Sequence, residues 1–218
     1  MICGTTDQRL LGWFVVALFF LYDLFCRLSV DVVQEALQKD FNCSASTAST
    51  AFGASFFYAY GAMQIPHGYM LDRFGPRVTL TLACLSTAVG GVVFAMSSSV
   101  GMAAAGRVLA GGGAGAAWLG SVKVIGLNFR GSQVSLFVGI TNAMGCFGGL
   151  ISQSPFAALV ASVGWRNGVL YSSAIPVIVA VALWAVTFDE PLPARQTLAV
   201  TVAAGASASE PDSYTPLP

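Results

Sequence analysis

Charge is what this chain has least of. Of its 218 residues, ten are Lys or Arg, ten are Asp or Glu and one is His, so charged side chains make up 9%. An ordinary soluble domain carries about 25%. That scarcity excludes a soluble globular protein, and an apolar content of 56% excludes a disordered chain. With the two signs balanced at zero net charge there is no basic field to hold a nucleic acid. The five cysteines, at 3, 26, 43, 84 and 146, are scattered, with no CxxC or Cys/His spacing, so no metal, redox or other cofactor chemistry is indicated. Ser/His, Cys/His and paired-carboxylate constellations are missing as well. The lone His67 has no catalytic partner in the sequence, and the expectation is a protein that is not an enzyme. The N-terminal apolar stretch is long and carries Asp23 and Arg27 with no clear small-residue cleavage site, so it does not read as a cleaved signal.

What the chain has instead is long stretches without Asp, Glu, Lys or Arg: 41–71, 78–106, 108–122, 131–165 and 167–188, with a further strongly apolar stretch from 10 to 33. A helix needs about 20 residues to cross the hydrocarbon core. The runs are too long for barrel strands of about 10 residues and show no period-two alternation. The expected fold class is therefore an all-α membrane protein, with the lipid bilayer as solvent. Punctuation divides it into a short N-terminus (1–9), six transmembrane spans at about 10–34, 47–71, 77–97, 101–127, 133–162 and 168–188, and a flexible tail (189–218) with five prolines. Lys and Arg are enriched in cytoplasmic loops. If the N-terminus is cytoplasmic, Arg9, Arg73, Arg77, Lys123, Arg130 and Arg195 fall on that side and only Lys39 and Arg166 fall outside. Both termini are thus expected in the cytoplasm of a multi-pass protein. Asn42-Cys43-Ser44 fits a glycosylation sequon but reads first as the cap of the second span.

An internal repeat is visible. Gln64, Pro66, Gly75 and Arg77 recur as Gln153, Pro155, Gly164 and Arg166, each 89 residues on. Spans one to three and four to six then form two copies of a three-helix unit. Three is odd, so the second copy is inverted, an arrangement found in secondary transporters.

Several polar residues stand where lipid would punish them. Asp23 and Arg27 lie four apart on one helix face and can pair. Each charge at a helix centre costs about 2.5–3.5 kcal/mol. The twelve Leu, Phe and Val between 11 and 30 return about 0.3–0.6 kcal/mol each, so the two sums nearly cancel. That face is expected to look into a polar cavity, with Tyr22 beside the pair. Arg107 has no acid within a turn and needs a backbone carbonyl, a partner on another helix or an anionic ligand. Gly111 with Gly115, and Gly112 with Ala116 and Gly120, are small residues at four-residue steps, and Gly113 lies among them; such rows let a neighbouring helix approach closely. Lys123, near a cytoplasmic helix end, either snorkels or lines the path. Tyr58, Gln64, Asn142 and Gln153 are uncharged candidates for the same path or for interhelical hydrogen bonds. His67 reads as a proton relay or as a satisfied interface side chain.

Between spans two and three, Gly68-Tyr69-Met70-Leu71-Asp72-Arg73-Phe74-Gly75-Pro76-Arg77 reads as a tight cytoplasmic turn. It resembles the signature G-x-x-x-D-R-x-G-x-R of the major facilitator superfamily. Arg107 followed by Gly111-x-Gly113 resembles that family's second motif, and residues 10–188 resemble its N-terminal half. The resemblance implies transport of a small solute by alternating access, proton-coupled in many members. It further implies that Gly68, Asp72, Arg73, Gly75 and Arg77 form a gating loop and that Arg107 takes part in proton coupling. Two departures stand out: Gly145-Cys146-Phe147-Gly148-Gly149 replaces the Gly-Pro pair of the family's antiporters, and Pro76 occupies a place that is often basic. Tyr22-Asp23-Leu24-Phe25-Cys26-Arg27 with Met63-Gln64-Ile65-Pro66 resembles the branch related to lysosomal dipeptide transporters; organic anions and sugars remain open as substrates. A full member has about twelve spans. The chain is accordingly read as a truncated or half-length transporter needing a second six-helix half, as a half that dimerises with itself, or as a non-transporting partner of another membrane protein.

Overall fold

A computed structural model describes residues 6–186, and every regular element among them is helical. The expected tail, 189–218, and the first five residues lie outside the described residues, as do Cys3 and Arg195. The first rod, α1, runs from Thr6 to Phe41 without a break, longer at both ends than the crossing expected at 10–34. Ser44 then accepts a hydrogen bond from the Thr47 amide and caps α2 (Ala45–Ala48), which passes through a π-helical turn (Ser49–Ala54) into α3 (Ser55–Arg73). Next come α4 (Gly75–Ala95), then α5 (Val100–Ala114) and α6 (Ala116–Asn128), which are in line. The long α7 (Ser132–Val163) is followed by a last rod made of α8 (Trp165–Ser172) and α9 (Ala174–Val186).

Five of these stretches are long and apolar enough to cross a bilayer: 7–41, 75–95, 100–128, 132–163 and 165–186. The rod through α2 and α3 is not among them, because Tyr58, Tyr60, Gln64, His67, Asp72 and Arg73 dilute its apolar character.

The signature segment is not the loop that its composition implied. Gly68, Asp72 and Arg73 belong to the last turns of α3, which continues to Arg73 because nothing before Gly75 breaks it. The turn itself is Phe74 and Gly75 alone. Gly75 takes φ 80°, a left-handed conformation open to glycine at little cost, and Pro76 opens α4. The equivalent junction between α7 and α8 is made by Gly164, at φ 82°.

α1 packs lengthwise on α7, α3 on α5, and α4 on α5 from one side and α9 from the other. Glycine sets the closest approaches. A Cβ on Gly106 would lie 2.6 Å from the Phe94 amide nitrogen, and one on Gly90 2.7 Å from the Gly106 carbonyl, so α4 and α5 touch backbone to backbone. Two apolar cores result. One gathers Val16, Phe19, Leu80, Ile125 and Leu183; the other gathers Val33, Leu37, Phe52, Phe56, Phe94 and Trp165. On α1 the first core ends at Phe20 and the second begins at Tyr22. Beyond Asp7 and Arg9 at its start, the next charged residue of α1, Asp23, falls at the waist between the two cores.

Candidate functional site

Asp23 sits at that waist with no exposed surface. One turn on, Arg27 reaches back and donates from Nε to Oδ1 at 3.0 Å and from Nη2 to Oδ2 at 2.6 Å. This two-point bond is the strongest form of a carboxylate–guanidinium pair. The arrangement is asymmetric: the Asp23 carboxylate is sealed while 23% of the Arg27 side chain remains exposed. The guanidinium also lies 4.2 Å from the ring centre of Tyr60 on α3, a cation–π contact. Tyr60 escaped the sequence reading, which took Tyr58 from the same helix, because the sequence does not say which of the two faces α1. Tyr22 is buried, stacks on Phe25 and turns away from the pair into the second core.

Arg107 is 4% exposed. Its Nε donates to the Phe52 carbonyl at 2.7 Å and its Nη1 to the Cys26 carbonyl at 3.1 Å. The Phe52 carbonyl lies in the π-helical turn, where the widened helix departs from regular i−4 bonding. Phe56 lies under the guanidinium at 4.4 Å. Of the three kinds of partner expected for Arg107, the structure supplies carbonyls. A cavity of about 30 Å³ beside it is lined by Tyr22, Cys26, Thr87, Ser172 and Ser173 among others. That is room for one or two waters and not for an organic solute.

The glycines after Arg107 divide their work. Gly111 abuts the Phe56 backbone, and a Cβ on Gly115 would lie 3.1 Å from the Tyr60 carbonyl, both on α3, whereas Gly113 meets Ala83 and Thr87 on α4. Gly112 touches only the Met63 side chain. The close approach to α1 made by Gly145 and Gly148 of α7, against Phe20 and Leu21, was not singled out in the sequence.

At the other end of the bundle Lys123 is paired. Its Nζ donates to Asp72 Oδ1 at 2.7 Å, tying α6 to the end of α3. Arg73 donates to the Tyr69 hydroxyl on its own helix. Tyr58 (76% exposed) and Gln153 point outward, Asn142 is exposed and Gln64 half-buried, so none of the four lines an enclosed path within this chain. Gln153 Nε2 lies 3.5 Å from the Leu28 carbonyl. His67 is buried beside Gly115.

Two further arginines join α4 to the last rod. Arg77 donates from Nη2 to the Trp184 carbonyl at 2.6 Å, with its guanidinium 4.2 Å from that indole. Arg166 donates from Nη1 to the Ala95 carbonyl at 3.2 Å and the Ser97 carbonyl at 2.6 Å, with its guanidinium 4.4 Å from Trp165. Asp40 accepts from Trp165 Nε1 at 2.8 Å and from Arg166 Nη2 at 3.4 Å.

Comparison with known proteins gives this geometry a context. The family model described as Major Facilitator Superfamily matches residues 12–211. Over 170 residues the chain is 27% identical to a Cupriavidus necator protein named a probable sulfoacetate transporter, covering 78% of this chain and 39% of that one. It is 32% identical over 147 residues to a probable L-galactonate transporter of Escherichia coli, covering 65% and 31% respectively. Among solved structures, a bacterial homologue of the human lysosomal transporter Spinster superposes with a TM-score of 0.77 at 17% identity, covering 93% of this chain and 50% of that one. A D-xylose–proton symporter does so at 0.71 and 20%, covering 94% and 53%. The chain thus spans less than half the length of these curated relatives and about half of these solved structures.

Proposed function

The chain belongs to the major facilitator superfamily, as its N-terminal half, and from that membership we propose that it works as one half of a secondary transporter that carries a small organic anion by alternating access. Six crossings complete the half, with the rod through α2 and α3 as the second, and both termini lie in the cytoplasm. A second six-helix half closes the transport path. Inverted three-helix units are supported by the 89-residue offset, which relates Gly75 to Gly164, both left-handed, and Pro66 to Pro155, both inside helices.

The observation that carries the reading is the Asp23–Arg27 pair. Asp23 grips Arg27 through Nε and Nη2, leaving the Nη1 N–H groups outside that pair on a guanidinium that is partly exposed. A solute carboxylate or sulfonate would find there an oriented cation whose desolvation has already been met by Asp23 and Tyr60. The names carried by the curated relatives, sulfoacetate and L-galactonate, are of such solutes. Asp72 and Lys123, paired at the inner end of α3, act in gating and not in solute binding. Arg107 holds α1 and the π-helical turn against α5, and any part it plays in proton coupling is exerted through those two elements.

The test is uptake into proteoliposomes holding this chain together with a second half, with radiolabelled galactonate and sulfoacetate as solutes. Saturable uptake of one of them is expected. Arg27→Ala should lower it by about tenfold or more, the loss of one charge-assisted contact. Uptake that Arg27→Ala leaves unchanged, or that D-xylose competes as well as the anions do, would overturn the reading.

A further inference from the structure

Arg77 stands in the family signature; Arg166 stands in no motif. Shifted by 89 residues, Arg77 falls on Arg166 and Ala95 falls on Trp184. The bond from Arg77 to the Trp184 carbonyl therefore becomes the bond from Arg166 to the Ala95 carbonyl, and both are present, at 2.6 Å and 3.2 Å. From this coincidence of two independent contacts we propose that Arg166 is a positioning residue, the outer-face counterpart of Arg77, and that the two arginines clasp α4 and the α8–α9 rod at both ends into one strut that moves as a unit during transport.

The chemistry of each clasp is the same. The last carbonyls of a helix lack intrahelical partners and carry about half a negative charge between them. Ala95 ends α4 and Ser97 follows it; Trp184 lies in the last described turn of α9. Each arginine sits near the start of one rod, Arg166 donating to the end of α4 and Arg77 to the last described turn of α9, so the rods are antiparallel and the clasps lie about 30 Å apart, the length of a helix of some 20 residues. A guanidinium suits the task because its donors are fixed in one plane on separate nitrogens: Nη1 takes the Ala95 and Ser97 carbonyls while Nη2 reaches Asp40, a span that an ammonium, with all its donors on one nitrogen, does not cover. Each is also held over an indole ring, Trp184 for Arg77 and Trp165 for Arg166. Between the clasps the rods are in close contact, since a Cβ on Gly91 would overlap the Ser173 side chain. The outer clasp also takes in the end of α1, where Asp40 binds both Arg166 and Trp165.

Transporters of this architecture move largely by rigid-body rocking, so a strut clamped at both ends keeps a half-domain rigid while its faces alternate. The role in turnover rests on the transport reading above; the clasp itself does not. Two measurements separate them. Hydrogen exchange on this chain in nanodiscs should show Arg166→Ala speeding exchange about tenfold over the last turn of α4, as loss of a charge-assisted bond at a helix end implies. The last turn of α9 should be unaffected, and Arg77→Ala should give the converse. Arg166→Gln serves in place of the alanine variant should that one fail to fold. Uptake by the transporter assembled with its second half should fall about fivefold or more in turnover for Arg166→Ala with KM nearly unchanged, the pattern of a lost conformational step. Arg166→Lys should recover only part of it, and the double variant with Arg77→Ala should be little worse than either single one. Exchange that changes at neither helix end, or a rise in KM at constant turnover, would overturn the proposal. If the wild type takes up no solute the transport reading fails, and the clasp stands or falls on the exchange result.

Discussion

The Asp23–Arg27 pair is lopsided, and the lopsidedness has a measurable consequence. The carboxylate is fully buried while the guanidinium keeps part of its surface. Removing one partner of a buried ion pair costs about 3–5 kcal/mol because a charge is left uncompensated, while removing both is often neutral. The cost falls on whichever charge is left behind, and the sealed Asp23 is the worse one to leave. Arg27→Gln is therefore expected to destabilise the chain more than Asp23→Asn, and Asp23→Asn with Arg27→Gln less than either. Melting temperatures of the three variants in one detergent decide it; equal losses for the two single variants would mean that the pair is solvated symmetrically. The pair was legible in the sequence, since i and i+4 share a helix face and two charges in an apolar run announce themselves. Tyr60 and Asp40 were not legible, because the partners they meet are 33 and 125 residues away in the chain.

At the scale of helices, sequence and structure part company over punctuation. Apolar run lengths carry the positions of the long helices because lipid imposes a length. They carry no information on how a helix pauses inside the membrane. The π-helical turn at Ser49–Ala54 holds no proline, and its Gly53 reads as one more small residue in an apolar run, yet its Phe52 carbonyl receives Arg107. The signature segment reads as a loop by composition and is mostly helix, since Asp72 and Arg73 can finish a helix as readily as start a turn. Small residues divide the same way. The row after Arg107 is regular enough to notice, but Gly90 and Gly106 belong to different helices and acquire meaning only as a pair. Together they let the backbones of α4 and α5 touch. Overpacking a well-packed contact costs about 1–3 kcal/mol, and here the colliding atoms are backbone, which cannot rotate aside. Gly90→Leu should therefore melt several degrees below wild type, while Gly139→Leu, where a Cβ meets nothing within 4 Å, should melt with it. Circular dichroism of both variants in detergent is the measurement, and a Gly90→Leu protein as stable as wild type would show that α4 and α5 can slide apart without loss.

At the scale of the whole molecule the open question is what covers the helices that this chain leaves bare. Within the most apolar window of α1, 61% is buried inside the chain; within that of α7, 22% is. The bare surface is patterned: Tyr58 and Phe147, 89 residues apart, are both exposed, as are Ile65 (85%) and Ser154 at the same offset. Related positions on α3 and α7 thus look outward together, as expected if both helices face one partner. Lipid tails satisfy an apolar face as well as protein does, so bareness alone does not require a partner. The charges require more. Arg27 is partly exposed in the middle of a span, where lipid costs a cation about 2.5–3.5 kcal/mol, and a second half enclosing a polar path removes that cost. The two halves of a full member are parallel, related by an axis along the membrane normal. Two copies of one sequence insert in the same sense, so geometry permits a second copy in that place. The side chains on the bare faces of α3 and α7, such as Tyr58, Ile65, Phe147 and Leu150, carry no charge that would select a copy of the same chain. A distinct second half is therefore expected, and the chain alone should be monomeric after solubilisation, with a protein mass of 22.6 kDa by light scattering corrected for detergent. Twice that mass, stable on dilution, would give the role of second half to another copy and place two Asp23–Arg27 pairs across one path.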